Sequence, residues 1–205
     1  MVNKRKVKQK NKEDNYCARN YKEVWNYIKE CRLYIYIIVG LFLISSIIAG
    51  VFGVPGIIEQ EIVKIIQELI AKTAGMNSFE LMWFILKNNV GAALLSLILG
   101  VVFGVFPIIS AAFNGYILGY VSRLVIFETS WIELWRLIPH GIFELPAIFL
   151  AMALGMKFGM FVFSGDFKNE FKRRLRLGIK TFVYVVLPLL VIAAIIEGAL
   201  IGLGI

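Results

Sequence analysis

The sequence predicts an all-α fold, a polytopic membrane helical bundle of about five transmembrane helices with one amphipathic interfacial helix and a cytoplasmic N-terminus. Three observations carry this. Of the 205 residues, 59% are hydrophobic and 18% charged, so the excess apolar surface must face lipid. Apolar stretches close to the roughly 20 residues that a bilayer core demands recur along the chain. The Lys and Arg residues gather beside those stretches rather than among aromatics on a soluble surface, so the formal charge of +8 reads as topogenic and lipid-facing, and no nucleic-acid partner is expected.

Residues 1–32 form a basic cytoplasmic N-terminal segment and residues 33–205 the transmembrane domain. Ten Lys and Arg, from Lys4 to Arg32, crowd the first segment; its first dozen residues are expected to be disordered, with an interfacial helix beginning near Tyr21. Cys17 and Cys31 have no neighbouring Cys or His and read as reduced thiols without zinc. The first span runs from about Leu33 to Gly53 and stops at Val54-Pro55-Gly56. Ile58, Ile62, Ile65, Ile66, Leu69 and Ile70 then recur at helical spacing among charges, which predicts an amphipathic helix over 57–72, too charged to cross lipid. Asn77 with Glu80 three residues on is a capping-box pattern opening the next helix, which runs into the bilayer.

The second span covers about Asn89 to Phe106 and the third Ile108 to Phe127, a tight hairpin turning at Pro107. Trp131 and Trp135 read as an interfacial anchor. The fourth span starts at Pro139 and reaches about Phe163; a basic loop from Ser164 to Lys180 leads to the fifth, Phe182 to Leu203. Five crossings put the N-terminal segment and this loop on one face, and both are rich in Lys and Arg. The positive-inside rule therefore predicts a cytoplasmic N-terminus and an external C-terminus.

Small-residue pairs stand in four spans: Gly100 with Gly104, Gly115 with Gly119, Gly155 with Gly159, and Gly198 with Gly202. Such pairs allow close helix packing, within one chain or between copies.

Ionisable groups inside spans cost at least about 2.5 kcal/mol each, so every one invites a partner or a function. Arg123, His140, Glu144 and Glu197 all fall in the outer half of their spans, and Arg123 is expected to pair with Glu144 or Glu197. Asn114 is a further polar candidate. Pro139 and Pro146 bracket a run through Gly141 and predict a helix break near residue 142. The cluster reads as a structural network, as an ion or proton pathway, or as a metal site, whose one His and two carboxylates are a thin ligand set. No catalytic residue and no cofactor is expected: there is no His-Glu-x-x-His and no nucleophile-base pair.

The string Leu137-Ile138-Pro139-His140-Gly141-Ile142-Phe143-Glu144-Leu145-Pro146-Ala147, preceded by Phe113-Asn114-Gly115-Tyr116-Ile117-Leu118-Gly119, resembles the stage II sporulation protein M family. The likeness extends from about the first span to the end of the chain. It implies a membrane-embedded helical fold. Sporulation members are implied to be membrane scaffolds for cell-wall hydrolases during engulfment. It also selects Asn114, Pro139, His140, Glu144 and Pro146 as site positions. The resulting expectation is a non-enzymatic scaffold or membrane-remodelling component of the cell membrane, homo-oligomeric, contacting lipid and membrane or cell-envelope proteins. The alternative is an ion channel or transporter using the intramembrane polar residues.

Overall fold

A computed structural model describes the backbone of residues 2–128 and 138–202 and the side chains of residues 18–127 and 141–200. The Trp131 and Trp135 anchor, and the side chains of Cys17, Pro139 and His140, fall outside these described residues, as does the packing of Gly202.

Regular structure among the described residues is entirely helical. Helix α1 spans Val2–Phe52 and reaches about 76 Å at 1.5 Å per residue, well beyond a bilayer of about 45 Å with its headgroups. The N-terminal residues expected to be disordered therefore belong to this helix. The reason lies in composition: no Gly or Pro occurs before Gly40, and a helix already nucleated by its packed portion propagates through Lys-rich sequence at little cost. Gly53 ends the helix at φ 76°, and its N–H bonds the Ala49 carbonyl at 3.0 Å.

Helix α2 (Gly56–Thr73) matches the predicted amphipathic segment. Helix α3 (Ser78–Leu99) opens on the predicted capping box: Asn77 Oδ1 accepts from the Phe79 and Glu80 N–H groups at 3.0 Å, and the Asn77 N–H donates to Glu80 Oε2 at 3.0 Å.

Helix α4 (Val105–Glu128) follows a turn placed earlier than expected, at Gly100–Gly104 rather than at Pro107. Phe103 at φ 53° and Gly104 at φ 68° reverse the chain there, while Pro107 lies in the first turn of α4, where its missing N–H costs nothing.

Helix α5 (Ile138–Gly159) runs through Pro146 without interruption, so the break expected near residue 142 is absent. Pro139 occupies the tolerated first turn, and a single internal proline removes one helical hydrogen bond without ending a helix whose neighbours hold it. A 3₁₀ turn (Met160–Phe163) leads to α6 (Phe167–Thr181), so the segment read as a basic loop is mostly helix. A π-helical turn (Phe182–Val186) joins α6 to α7 (Leu187–Gly202). The Leu187 N–H reaches back to the Phe182 carbonyl, and this wider turn directly precedes Pro188, which has no N–H to continue an α-helical ladder.

Among the described residues, five helical runs are long and apolar enough to cross a membrane. The central one is α5: 61% of its apolar stretch is buried, against 17–33% for the other four. Its Ala147, Leu150, Ala151 and Leu154 face a core with Leu97 of α3, Tyr27 and Cys31 of α1, and Leu190 of α7. Its Met152, Ala153 and Met156 face a second core with Ile38 of α1 and Ala111 of α4. A helix buried on both sides needs only apolar residues, which is why no amphipathic stripe marks it.

Glycine sets the approach distances. A Cβ on Gly155 would lie 2.2 Å from the Ser96 carbonyl oxygen, and one on Gly159 2.2 Å from the Gly100 carbonyl oxygen. On α4, a Cβ on Gly115 would meet the Phe42 carbonyl oxygen at 2.2 Å and one on Gly119 the Ser46 oxygen at 2.0 Å. Gly198 approaches Met82 of α3, where a Cβ would stand 2.9 Å from the Met82 Cβ. These small-residue faces are thus occupied inside the chain, with backbone against backbone.

Gly155→Ala or Gly119→Ala is expected to cost about 1–3 kcal/mol through overpacking and to lower the thermal midpoint in detergent. Gly91→Ala, where a Cβ meets nothing within 4 Å, is the control and should leave the midpoint unchanged or slightly raised.

Candidate functional site

The chain has a basic end, where α6 and the N-terminal part of α1 lie, and an opposite end, where α1 gives way to α2. Between α4 and α5, in the half toward the opposite end, is a cavity of about 700 Å³ floored by Phe42 of α1. Asn114 and Ser122 of α4 line it from one side; Gly141, Glu144 and Pro146 of α5 line it from the other. Four predicted positions, Asn114, Gly141, Glu144 and Pro146, thus share one wall system.

Asn114 is exposed at membrane depth, and its amide nitrogen donates to the Ser110 carbonyl at 2.7 Å and to Ser110 Oγ at 3.3 Å. Glu144 is partly buried. The absent N–H of Pro146 deprives the Ile142 carbonyl of its helical donor, one turn back on the same cavity wall.

The other predicted groups are placed elsewhere. Arg123 Nη1 donates to the Gly50 and Val51 carbonyls at 3.1 and 3.0 Å, not to the carboxylates expected, and its guanidinium lies 4.8 Å from the Phe127 ring centroid. These are last-turn carbonyls of α1, which have no partner within their own helix and carry the negative end of its dipole. Arg123 extends a register in which Phe42, Ser46 and Gly50 of α1 face Gly115, Gly119 and Arg123 of α4. The i, i+4, i+8 spacing of Gly115, Gly119 and Arg123 is the sequence signal for it. Glu197 is on α7, whose main packing is against α3 and α5, while α4 packs on α1 and α5. Arg123 and Glu197 therefore do not share one packed interface. Nearby, the Tyr120 hydroxyl donates to Glu59 Oε1 at 2.9 Å and ties α2 to α4.

At the basic end lies a buried charged group that hydropathy and spacing alone do not single out. Lys157, on the last turns of α5, is 7% exposed. Its Nζ donates to Glu30 Oε2 at 2.9 Å and stands 4.5 Å from the Tyr27 ring centroid. Arg173 Nη2 donates to both Glu30 oxygens at 2.8 Å, Arg174 Nε to Glu170 at 2.7 Å, and Arg174 Nη1 to the Lys157 carbonyl at 2.9 Å. Lys180 pairs with Glu23. Part of the basic charge read as lipid-facing is therefore spent in locking α1, α5 and α6 together. The spacing of Glu23 and Glu30, seven residues apart on α1, is the only sequence hint of it. Two buried oxygens here, Tyr27 Oη and Thr181 Oγ1, have no hydrogen-bond partner among the described residues.

Four apolar helical runs around a buried fifth, with charges paired at one end and a carbonyl-capping arginine at the other, define a multi-pass helical membrane protein that contacts the lipid bilayer. The chain belongs to the stage II sporulation protein M family, whose profile matches residues 33–200. An uncharacterized protein of Methanocaldococcus jannaschii is 29% identical over 134 residues, 62% of this chain; the match spans only 59% of that relative's length. No solved structure matches the chain.

Glu30→Ala strips the counter-charge from a buried ammonium and should cost about 1.5–3 kcal/mol, the range for charge-assisted hydrogen bonds, given that Glu30 itself is part exposed. Adding Lys157→Met should restore part of that loss, because the orphaned charge is gone. Thermal unfolding of the single and double variants in one detergent checks the cycle; strictly additive losses would contradict it.

Proposed function

We propose that the chain is a non-enzymatic scaffold or membrane-remodelling component of the cell membrane, acting with protein partners and as a homo-oligomer. The observation that supports this reading is the face presented by α2. Only Ile62 of that helix is buried, while Ile57 is 82%, Ile70 61%, Leu69 47% and Ile65 45% exposed. A hydrogen bond from Tyr120 to Glu59 ties the first turn of α2 to the bundle. An apolar stripe at the membrane surface that its own chain leaves uncovered suits contact with headgroup-level lipid and with neighbouring proteins. The glycine faces are already consumed, so assembly falls to α2 rather than to Gly115 or Gly155.

Light scattering on the purified chain should give a mass above that of one copy. Ile65→Glu with Leu69→Glu should return it to one copy while leaving the thermal midpoint in place, since neither side chain is packed in the core. A wild-type chain that is monomeric at every concentration contradicts the homo-oligomer.

The second reading, an ion channel or transporter, is favoured by Asn114 and Glu144 lining one cavity. Liposome flux that is present in the wild type and lost in Glu144→Gln or His140→Ala would select it; absence of flux under every gradient would reject it.

A further inference from the structure

We infer that the exposed face of the α6–α7 helical run, with the groove beside it on α1, is a binding site for an anionic phospholipid of the leaflet at the basic end. The inference stands apart from the scaffold and transport readings, since it requires neither assembly nor passage across the membrane.

Charge on α6 selects the headgroup. The helix carries six cations and one carboxylate, Glu170. Arg173, Arg174 and Lys180 are bonded to Glu30, Glu170 and Glu23 respectively. Lys168, Lys172 and Arg176 make no hydrogen bond or ion pair with the described residues, and all three are exposed. Arg176 is close enough to Glu23 for a through-space attraction, but that carboxylate already serves Lys180, and one negative charge does not neutralise two cations. The i, i+4, i+8 spacing of Lys168, Lys172 and Arg176 puts them on one helix face over about 12 Å. Such a row calls for an anion.

The same face selects a lipid as the carrier of that anion. Beyond Arg176 its exposed positions turn apolar, through Ile179, Val183, Pro188, Ile192 and Ile195. Steps of three and four residues keep them in line, and the one step of five, from Val183 to Pro188, spans the π-helical turn, whose wider winding takes up the extra residue. One continuous stripe is therefore basic at one end and apolar along the rest. The run Phe167–Leu200 has 34 residues, about 51 Å at helical rise, against a hydrocarbon core of about 30 Å. The excess of roughly 20 Å is the polar α6 portion, which places Lys172 and Arg176 at the headgroups and the apolar stripe among acyl chains. A soluble phosphate would engage the cations and leave that stripe unused. A phospholipid engages both.

The face also has a concave seat. A groove of about 630 Å³ lies between α1 and the run, and Asn20, Glu23, Arg176, Ile179, Lys180 and Val183 are among its lining residues. Asn20 Nδ2 donates to Tyr184 Oη at 3.3 Å, and the Tyr21 ring stands edge-on to the Tyr184 ring at 5.3 Å between centroids. With the Lys180–Glu23 pair, these contacts fasten α1 to the run without using Arg176, Ile179 or Val183.

The test is native mass spectrometry of the full-length chain released from detergent that holds equal amounts of phosphatidylglycerol and phosphatidylcholine with identical acyl chains. The wild type should retain phosphatidylglycerol by about tenfold or more over phosphatidylcholine. Lys168→Gln with Lys172→Gln and Arg176→Gln should bring the two lipids to equal retention. Lys64→Gln with Lys72→Gln and Lys87→Gln, the same charge change on exposed residues of α2 and α3, should keep the preference. Ile179→Gln with Val183→Gln should weaken phosphatidylglycerol severalfold at an unchanged thermal midpoint, and glycerol 3-phosphate, the anion without its chains, should not displace the lipid. Equal retention of the two lipids by the wild type overturns the site. So does a preference that the α6 variant keeps, or that the α2 and α3 variant loses to the same extent. Displacement by glycerol 3-phosphate at matched concentration would assign the cations to a soluble anion, and displacement by a poly-glutamate peptide to an acidic protein partner; either result overturns the lipid assignment.

Discussion

The approach on which the bundle depends is that of α5 to the end of α3, where Gly155 and Gly159 press on the backbone of Ser96 and Gly100 with no room for a Cβ. Lipid chains are as apolar as the helix surfaces they surround, so burial from water does not drive these helices together. Dispersion between closely approaching backbones does, and only glycine permits the distance. That contact fixes α5 in the centre, and α1, α3, α4 and α7 are arranged around it. The parallel α1–α4 pair repeats the device through Phe42, Ser46 and Gly50 against Gly115, Gly119 and Arg123.

Charge then closes the two ends by different means. At the basic end, three helices converge on Glu30, which takes Lys157 and Arg173 together. The buried Lys157 has Glu30 as its counter-ion at 2.9 Å, and Arg174 donates to its backbone carbonyl. At the opposite end, Arg123 satisfies the carbonyls that α1 cannot satisfy itself, and it does so one helical turn beyond the last glycine of the stripe. The cavity lies between these fixtures, lined by α4 and α5. Asn114, Ser122 and Glu144 are the polar side chains on its otherwise apolar wall.

Much of this was readable from residues alone, because the bilayer imposes length and composition on anything that crosses it. The five spans, the amphipathic α2 and the Asn77–Glu80 capping box followed from hydropathy, period and a four-residue motif. Boundaries were less legible. The reversal at Gly100–Gly104 depends on positive φ at Phe103, a residue that gives no turn signal, while Pro107 gives one that the helix start absorbs. Pro146 signalled a break, but tertiary packing of α5 overrides a single missing hydrogen bond. The Glu30–Lys157–Arg173 cluster joins residues up to 143 positions apart, and no local pattern encodes such a meeting. Asn114, Glu144 and Pro146 were legible as polar or helix-breaking positions, but their meeting around one largely apolar cavity follows from how α4 packs on α5.

The central position of α5 is the claim from which the rest follows, and lipid-phase labelling tests it most directly. A small apolar carbene precursor dissolved in the bilayer, with modification resolved by residue, samples every lipid-facing side chain. If α5 is enclosed as described, Ala147 to Phe158 will be the least modified stretch of any span, although it is as apolar as the others. Modification of that stretch equal to that of α3 or α7 would contradict the arrangement.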